Sequence, residues 1–209
     1  MPRYYPICLD IREKPCLVVG GGAVAERKIM TLLDYEAKVS VISPKATHRI
    51  AHLGNEGRLT YMAREFEPGD TQGFFLVIAA TDHDQINRAI SQEARQGNIL
   101  VNVVDSPDES TFILPALIRR GDLTISISTG GNSPALARKI REDMEAQYGH
   151  EYEILVDILG NLRKNILQQE PDILKRKKIF QQLAQWSELL KIIRESGREA
   201  AEERIRELL

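Results

Sequence analysis

Long apolar runs are missing from this sequence of 209 residues. No stretch approaches the ~18 consecutive apolar residues that a membrane-crossing helix needs, so none of it is expected to span a bilayer. Cysteine is almost absent. Cys8 and Cys16 have neither metal-site nor redox spacing, and Cys16 lies in an apolar run where it reads as a small hydrophobic residue. Histidine is equally sparse: His48, His52, His83 and His150 are scattered without triad or ligand spacing, so neither a metal centre nor histidine-based catalysis is expected. An excess of one charge is lacking too. The 28 Lys and Arg against 30 Asp and Glu leave a net charge of −2, which excludes a strong global attraction to nucleic acid or to an anionic membrane. Residues Met1 to Asp10 do not show the charged-then-apolar layout of a signal peptide, so a cytoplasmic location is expected.

The apolar fraction of 43% is ordinary for a globular chain, and its distribution is informative. Four short apolar runs, 16–19, 38–42, 74–79 and 99–104, alternate with polar segments of helical length, of which 23–33 and 84–96 show spaced apolar residues. Continuous apolar runs belong to strands buried on both faces, and their alternation with helices argues for βαβ units and a parallel sheet. A shorter strand is expected at 59–62. Beyond this the pattern changes. Stretches 112–118 and 123–128 flank Arg119-Arg120-Gly121-Asp122, which suggests a hairpin, with Pro115 marking an edge or a bulge. Ser133 as N-cap and Pro134 at the first helical position then open a helix with Leu136, Ile140 and Met144 on one face, and Gly149 would suit its end. From Glu151 onward the chain is helical and charged. Leu155, Ile158, Leu159, Leu162 and Ile166 form one stripe, and Leu183, Trp186, Leu190 and Ile193 another, with Pro171 between them; the last dozen or so residues are expected to fray. The architecture expected is α/β: a Rossmann-type parallel sheet in residues 1–110, a hairpin-plus-helix dimerisation region in 111–149 and a small helical domain in 150–209.

The strongest motif follows the first strand. Gly20, Gly22 and Ala25 make G-x-G-x-x-A between a strand and a helix, the context that a dinucleotide-binding loop requires. Gly20 permits the tight turn, Gly22 lets the backbone approach a pyrophosphate, and the N–H groups at the helix start supply an anion site. The second strand ends in Ser43, Pro44 and Lys45 rather than in an acid. Ser43 can bond a ribose and Lys45 can tolerate a 2′-phosphate, so these residues alone leave NAD and NADP both open. Thr81 and Asp82 end the fourth strand at the sheet edge where ligands bind, and suit either a cofactor contact or the cap of the next helix. Asp105 ends the fifth. It is a general base facing the nicotinamide or a residue of the turn Ser106-Pro107-Asp108.

Four separated motifs occur in a matching order: Val18-Val19-Gly20-Gly21-Gly22-Ala23-Val24-Ala25-Glu26-Arg27-Lys28, Ala79-Ala80-Thr81-Asp82, Asn102-Val103-Val104-Asp105 and Ser128-Thr129-Gly130-Gly131-Asn132-Ser133-Pro134. Together they resemble the precorrin-2 dehydrogenase family of siroheme synthesis, including the N-terminal half of multifunctional siroheme synthases. The resemblance covers roughly residues 1–145 and implies NAD-dependent oxidation of precorrin-2 to sirohydrochlorin, in some members with insertion of ferrous iron at the same site. It carries the catalytic acid onto Asp105 and the cofactor contacts onto Gly20, Gly22, Ala23, Val24, Ser43 and Pro44. It also implies a homodimer formed through the middle region, and a hydroxyl before the Gly-Gly pair, here Thr129. The tetrapyrrole substrate bears many carboxylates, so Thr129, Asn132 and Ser133 at the start of the Pro134 helix are its expected contacts. Arg119, Arg120, Arg138 and Lys139 are either carboxylate partners or solvated surface charges. No methyltransferase segment is recognisable, so the substrate is expected to arrive already methylated. A bifunctional dehydrogenase and ferrochelatase, and a regulatory module that only senses NAD, are the alternatives.

Overall fold

The apolar runs become a parallel sheet because helices cover both of its faces. The computed structural model describes residues 3–183 and 186–208. Contacts divide the chain into two compact units, Met1–Leu114 and Pro115–Leu209. In the first unit β1 (Pro15–Val19), β2 (Lys38–Ile42), β3 (Thr60–Met62), β4 (Leu76–Ala79) and β5 (Leu100–Val103) form one sheet in the order β3-β2-β1-β4-β5. Every pairing is parallel, with Val19 opposite Ile42 on one side and Ala79 on the other. Alternate residues point to opposite faces. Val18, Val41 and Ile78 are buried with Ala25 and Ile29 of α1 (Ala23–Asp34) and with Ile50 and Leu53 of α2 (His48–Asn55). Leu17, Val77 and Val101 are buried against Ile90 and Ala94 of α3 (Asp84–Gln96).

The helix α2 has little sequence signal. It is short, ends next to Gly-containing turns and buries only Ile50 and Leu53, although Thr47 caps it by accepting the Ile50 N–H at 3.3 Å. The outer edge of β5 is covered by residues 110–112. Thr111 N–H donates to Val101 O at 2.8 Å, and its hydroxyl accepts from Val101 N–H at 2.8 Å. These contacts correct the expectation that the hairpin begins at Phe112. Phe112 packs on the sheet's core, and its carbonyl accepts from Asn102 Nδ2 at 3.1 Å.

In the second unit β6 (Ala116–Arg120) and β7 (Leu123–Ile127) pair antiparallel around a two-residue turn, Gly121-Asp122. Gly121 at φ 56° supplies the positive torsion such a turn demands. The strand starts after Pro115, which has no N–H to give a ladder. Helix α4 (Pro134–Glu145) begins as its sequence suggests, capped by Ser133, but ends at Glu145 rather than at Gly149. It buries Ala137 and leaves Leu136 and Ile140 exposed. The remainder is α5 (Glu151–Gln169), α6 (Ile173–Leu183) and α7 (Trp186–Leu208), with Pro171 between the first two. Gly197, at φ 83°, breaks α7, and residues on both sides of the break, Leu189 to Ile193 and Ala201 to Ile205, share one core with Leu155 and Ile158. The chain as far as Ile205 therefore packs rather than frays, because Ala201 and Ile205 are buried. Trp186 is exposed, and the Leu183 side chain of the second expected stripe lies outside what is described. Among the described residues no helix is long and apolar enough to cross a membrane.

One carboxylate ties the loop before β4 to the helix after it. Glu93 of α3 accepts from Gly69 N–H and Thr71 N–H, both at 2.9 Å, and from the Thr71 hydroxyl. Burial alone would raise its pKa, but these donors outweigh it and hold the carboxyl below its ordinary value. A depressed carboxylate contributes stability above its unfolded pKa of about 4.3 and loses that contribution as pH falls through the folded value. Glu93→Gln should therefore cost about 1–3 kcal/mol at neutral pH. In urea titrations the gap to the wild type should close as pH drops below about 4. A gap that does not change with pH would contradict this.

Candidate functional site

The three glycines after β1 have three different surroundings. Gly20 lies at φ 127°, and a Cβ there would stand 2.2 Å from Ala80 O. It is the point where the β1 loop crosses against the β4 loop. A Cβ on Gly21 would meet Lys45 O at 2.0 Å, so this residue is required by the fold itself. Gly22 has nothing within 4 Å of its ideal Cβ. It is the N-cap of α1 and offers no side chain to the helix start. The first amide of α1 with an acceptor is Glu26 N–H, on Gly22 O at 2.9 Å. The N–H groups of Ala23, Val24 and Ala25, with no acceptor among the described residues, remain donors at the positive end of the helix dipole, beside an open space. Open room for backbone approach and three free donors are what a dinucleotide pyrophosphate requires.

The other cofactor candidates follow the neighbouring strands. Ser43 is buried and donates its hydroxyl to Lys45 O at 2.7 Å, leaving its lone pairs as acceptors; Pro44 and Lys45 are exposed. Beyond β4, Thr81 is held by Asn87 of α3. The Thr81 hydroxyl donates to Asn87 Oδ1 at 2.8 Å, Thr81 N–H donates to the same oxygen at 3.3 Å, and Asn87 Nδ2 returns a bond to Thr81 O at 3.0 Å. The N-cap of α3 is His83, and the Thr81 oxygen accepts its N–H at 3.2 Å. Thr81 therefore supports the helix start without being its cap, and Asp82 is exposed beside it.

Asp105 sits in the turn that leaves β5. Ser106 N–H bonds Val103 O at 3.1 Å, and Asp105 occupies φ 59°. Left-handed backbone is strained for a residue with a Cβ, although Asp tolerates it better than most. Ser110, itself buried, fixes this turn: its oxygen accepts Val103 N–H at 2.9 Å, and its hydroxyl reaches Ser106 O at 2.9 Å. The Asp105 carboxylate is exposed and has no hydrogen-bond or ion-pair partner among the described residues. It does not cap the turn that presents it.

Thr129, Asn132 and Ser133 belong to the second unit. Ser133 accepts Leu136 N–H at 3.2 Å, and Thr129 Oγ1 accepts Ser133 N–H at 3.0 Å. Asn132 Nδ2 donates to Thr129 O at 2.9 Å, across Gly130 and Gly131 at φ 62° and 89°. The loop is thus braced from within. Arg138 and Lys139 form exposed ion pairs with Glu142 and Asp143 one turn along α4, the solvated arrangement rather than free carboxylate partners. Arg120 donates to Tyr148 O and Arg119 O.

A family model of NAD(P)-binding domains matches residues 7–116, and one described as sirohaem biosynthesis protein central matches 120–147. The chain belongs to the precorrin-2 dehydrogenase and siroheme synthase N-terminal-domain family. Its cofactor is a nicotinamide dinucleotide. A siroheme synthase of Vesicomyosocius okutanii is 43% identical over 164 residues, covering 78% of this chain and 35% of that protein. Siroheme synthase 2 of Yersinia pseudotuberculosis is 35% identical and covers 98% of this chain and 43% of its own length. The chain thus spans well under half of these relatives. The solved structure of SirC, precorrin-2 dehydrogenase, superposes with a TM-score of 0.81 at 25% identity, over 98% of this chain and 100% of that one.

The glycine geometry separates two effects. Gly22→Val should fold normally, because no protein atom occupies the space, and should lose nucleotide affinity at least tenfold. Gly21→Ala should instead lower stability by more than about 2 kcal/mol, since backbone atoms must move. Thermal melts and dinucleotide titrations on both variants check this; undiminished affinity in a folded Gly22→Val protein would contradict the pyrophosphate assignment.

Proposed function

We propose that this chain catalyses the NAD-dependent dehydrogenation of precorrin-2 to sirohydrochlorin, a step of siroheme formation, in the cytoplasm. The observation that carries this reading is Asp105: an unpaired, exposed carboxylate on a strained turn, at the same sheet edge as the cofactor loop. A strained backbone held by its surroundings, carrying a side chain that itself makes no structural contact, points to function rather than stability. A module that only sensed nucleotide would need the glycine loop and no such acid. The likeness to SirC, precorrin-2 dehydrogenase, over the whole chain supports the substrate assignment.

Residues of the α1 start bind the pyrophosphate through the Ala23, Val24 and Ala25 amides, and Ser43 to Lys45, Thr81 and Asp82 line the rest of the cofactor site. A nicotinamide held by these residues would supply the hydride acceptor for oxidation of the macrocycle. Asp105 takes the proton released with it, so that two hydrogens leave the substrate as hydride and proton. Thr129, Asn132 and Ser133 hold substrate carboxylates through the α4 start. NAD is favoured over NADP on family resemblance, with Lys45 a cation that could accept a 2′-phosphate.

Asp105→Asn keeps size and tolerates the same backbone torsion, so folding and NAD binding should be unchanged. Turnover should fall about 10²–10⁴-fold, the usual weight of a positioned acid–base group. Following sirohydrochlorin absorbance with NAD and with NADP, beside a melting curve, tests both points; near-normal turnover with reduced stability would end the assignment.

Residues 111–149 form the dimer contact in this reading, between the cofactor domain of 1–110 and the helical domain of 150–209. Leu136 and Ile140, 52% and 36% exposed on one face of α4, are its apolar centre. Paired surfaces of this kind are self-complementary in a twofold dimer. Sedimentation should give a dimer at micromolar concentration and a monomer for Leu136→Glu; a monomeric wild type would contradict it.

A further inference from the structure

The segment that follows Asp105 is gripped along its whole length. Every carbonyl from Ser106 to Ser110 accepts a hydrogen bond. Ser106 O takes the Ser110 hydroxyl at 2.9 Å, and Pro107 O takes Ser110 N–H at 3.1 Å and the Tyr4 hydroxyl at 3.2 Å. Arg95 Nη2 donates to Asp108 O at 2.8 Å and to Ser110 O at 3.2 Å, and the Ser91 hydroxyl donates to Glu109 O. Arg88 adds an ion pair with Glu109 at 3.0 Å. Ser91, Arg95 and Arg88 all belong to α3. Asn87, Ser91 and Arg95 recur every fourth residue, so they form one polar stripe beside the buried Ile90 and Ala94. Its first member holds Thr81 after β4, and the other two hold 108–110 after β5. The stripe spans about 12 Å of helix at 1.5 Å per residue. Loops at this edge of an α/β sheet are ordinarily its mobile part. Arg88 and Arg95 are exposed, where charged side chains add little to stability, so folding alone does not account for the grip.

We propose that Ser91 and Arg95 are positioning residues: by holding 108–110 on α3 they fix where the turn presents Asp105, at a set distance from the Thr81 loop that the same stripe holds through Asn87. The inference rests on Asp105 being the base. A base works only within hydrogen-bond reach of the proton it takes, and a misplacement of about 1 Å costs up to about 10²-fold. The Asp105 carboxylate has no hydrogen-bond or ion-pair partner among the described residues, so the backbone on either side of it sets its aim. β5 fixes the side before it. On the side after it, Ser110 closes the turn, and Ser91 and Arg95 tie the closed turn to the helix.

Arg95 is exposed, so its variants test this in the full chain without emptying the core. Arg95→Met should lower kcat roughly tenfold with the NAD KM and the melting temperature unchanged, and Arg95→Lys, which keeps a donor, should restore part of the loss. Combined with Asp105→Asn, Arg95→Met should cause no further loss, because the group it aims is already gone. Hydrogen exchange without substrate or cofactor gives a readout apart from activity. The Ser106 and Ser110 amides, bonded to Val103 O and Pro107 O, should exchange several-fold faster in Arg95→Met than in the wild type. Faster exchange with kcat intact, or a lower kcat with exchange unmoved, overturns the inference. A full further loss in the double variant also overturns it, and leaves the base assignment standing. Full turnover by Asp105→Asn brings down the base assignment, and the positioning role with it. A lower melting temperature in Arg95→Met with kcat intact makes Arg95 structural and overturns the inference.

Discussion

The close approach of two backbones, Gly20 against Ala80, is the contact on which the cofactor site depends. β1 lies at the centre of the sheet, and the chain runs outward to β3 on one side before it returns to build β4 and β5 on the other. Loops leaving β1 and β4 therefore diverge from adjacent strands, and a crevice opens where the order reverses. The crevice is usable only because the β1 loop turns sharply enough to aim α1 at it. Any side chain at Gly20 would strike the neighbouring carbonyl, and any at Gly21 would strike the β2 loop. Gly22 then leaves room that the protein itself does not fill.

Around this contact the site is supported by small polar residues that bond backbone rather than ligand. Asn87 holds Thr81, and Ser110 holds the turn that carries Asp105. Each is buried and satisfied, which is what makes such networks rigid rather than costly. Rigidity matters because Asp105 sits in a backbone conformation that it would not choose alone. The strained turn persists because Ser110 and the β5 ladder over-determine it.

The second unit solves a different problem. A two-stranded hairpin is marginal by itself, and α4 covers it with only one buried residue, Ala137. Its Leu136 and Ile140 face outward, whereas α5 and the two halves of α7 close a core of their own. An apolar face left open on one element beside a closed core on the next fits a surface that a second copy completes, as argued for residues 111–149.

Much of this was legible before any coordinates. Five strands, the helices α1 and α3, the glycine loop, the hairpin turn and the Ser133-Pro134 helix start all follow from periodicity and from local stereochemistry, which act over a few residues. The fate of Phe112, the early end of α4 and the packed end of the chain did not, because each depends on what lies opposite: the open edge of β5 takes in 110–112, and Gly197 returns Ala201 and Ile205 to α5. The candidate site divides the same way. Residue type and spacing alone nominated Gly20 and Gly22, whereas Asp105 was either a base or a turn residue until the family resemblance singled it out. Asn87 and Ser110 gave no signal of their own, since an asparagine or serine in a polar segment is ordinary. Only tertiary structure decided that Asn87 and Ser110 hold the loops that leave β4 and β5, because the sheet order, not the chain order, sets which strand ends are neighbours.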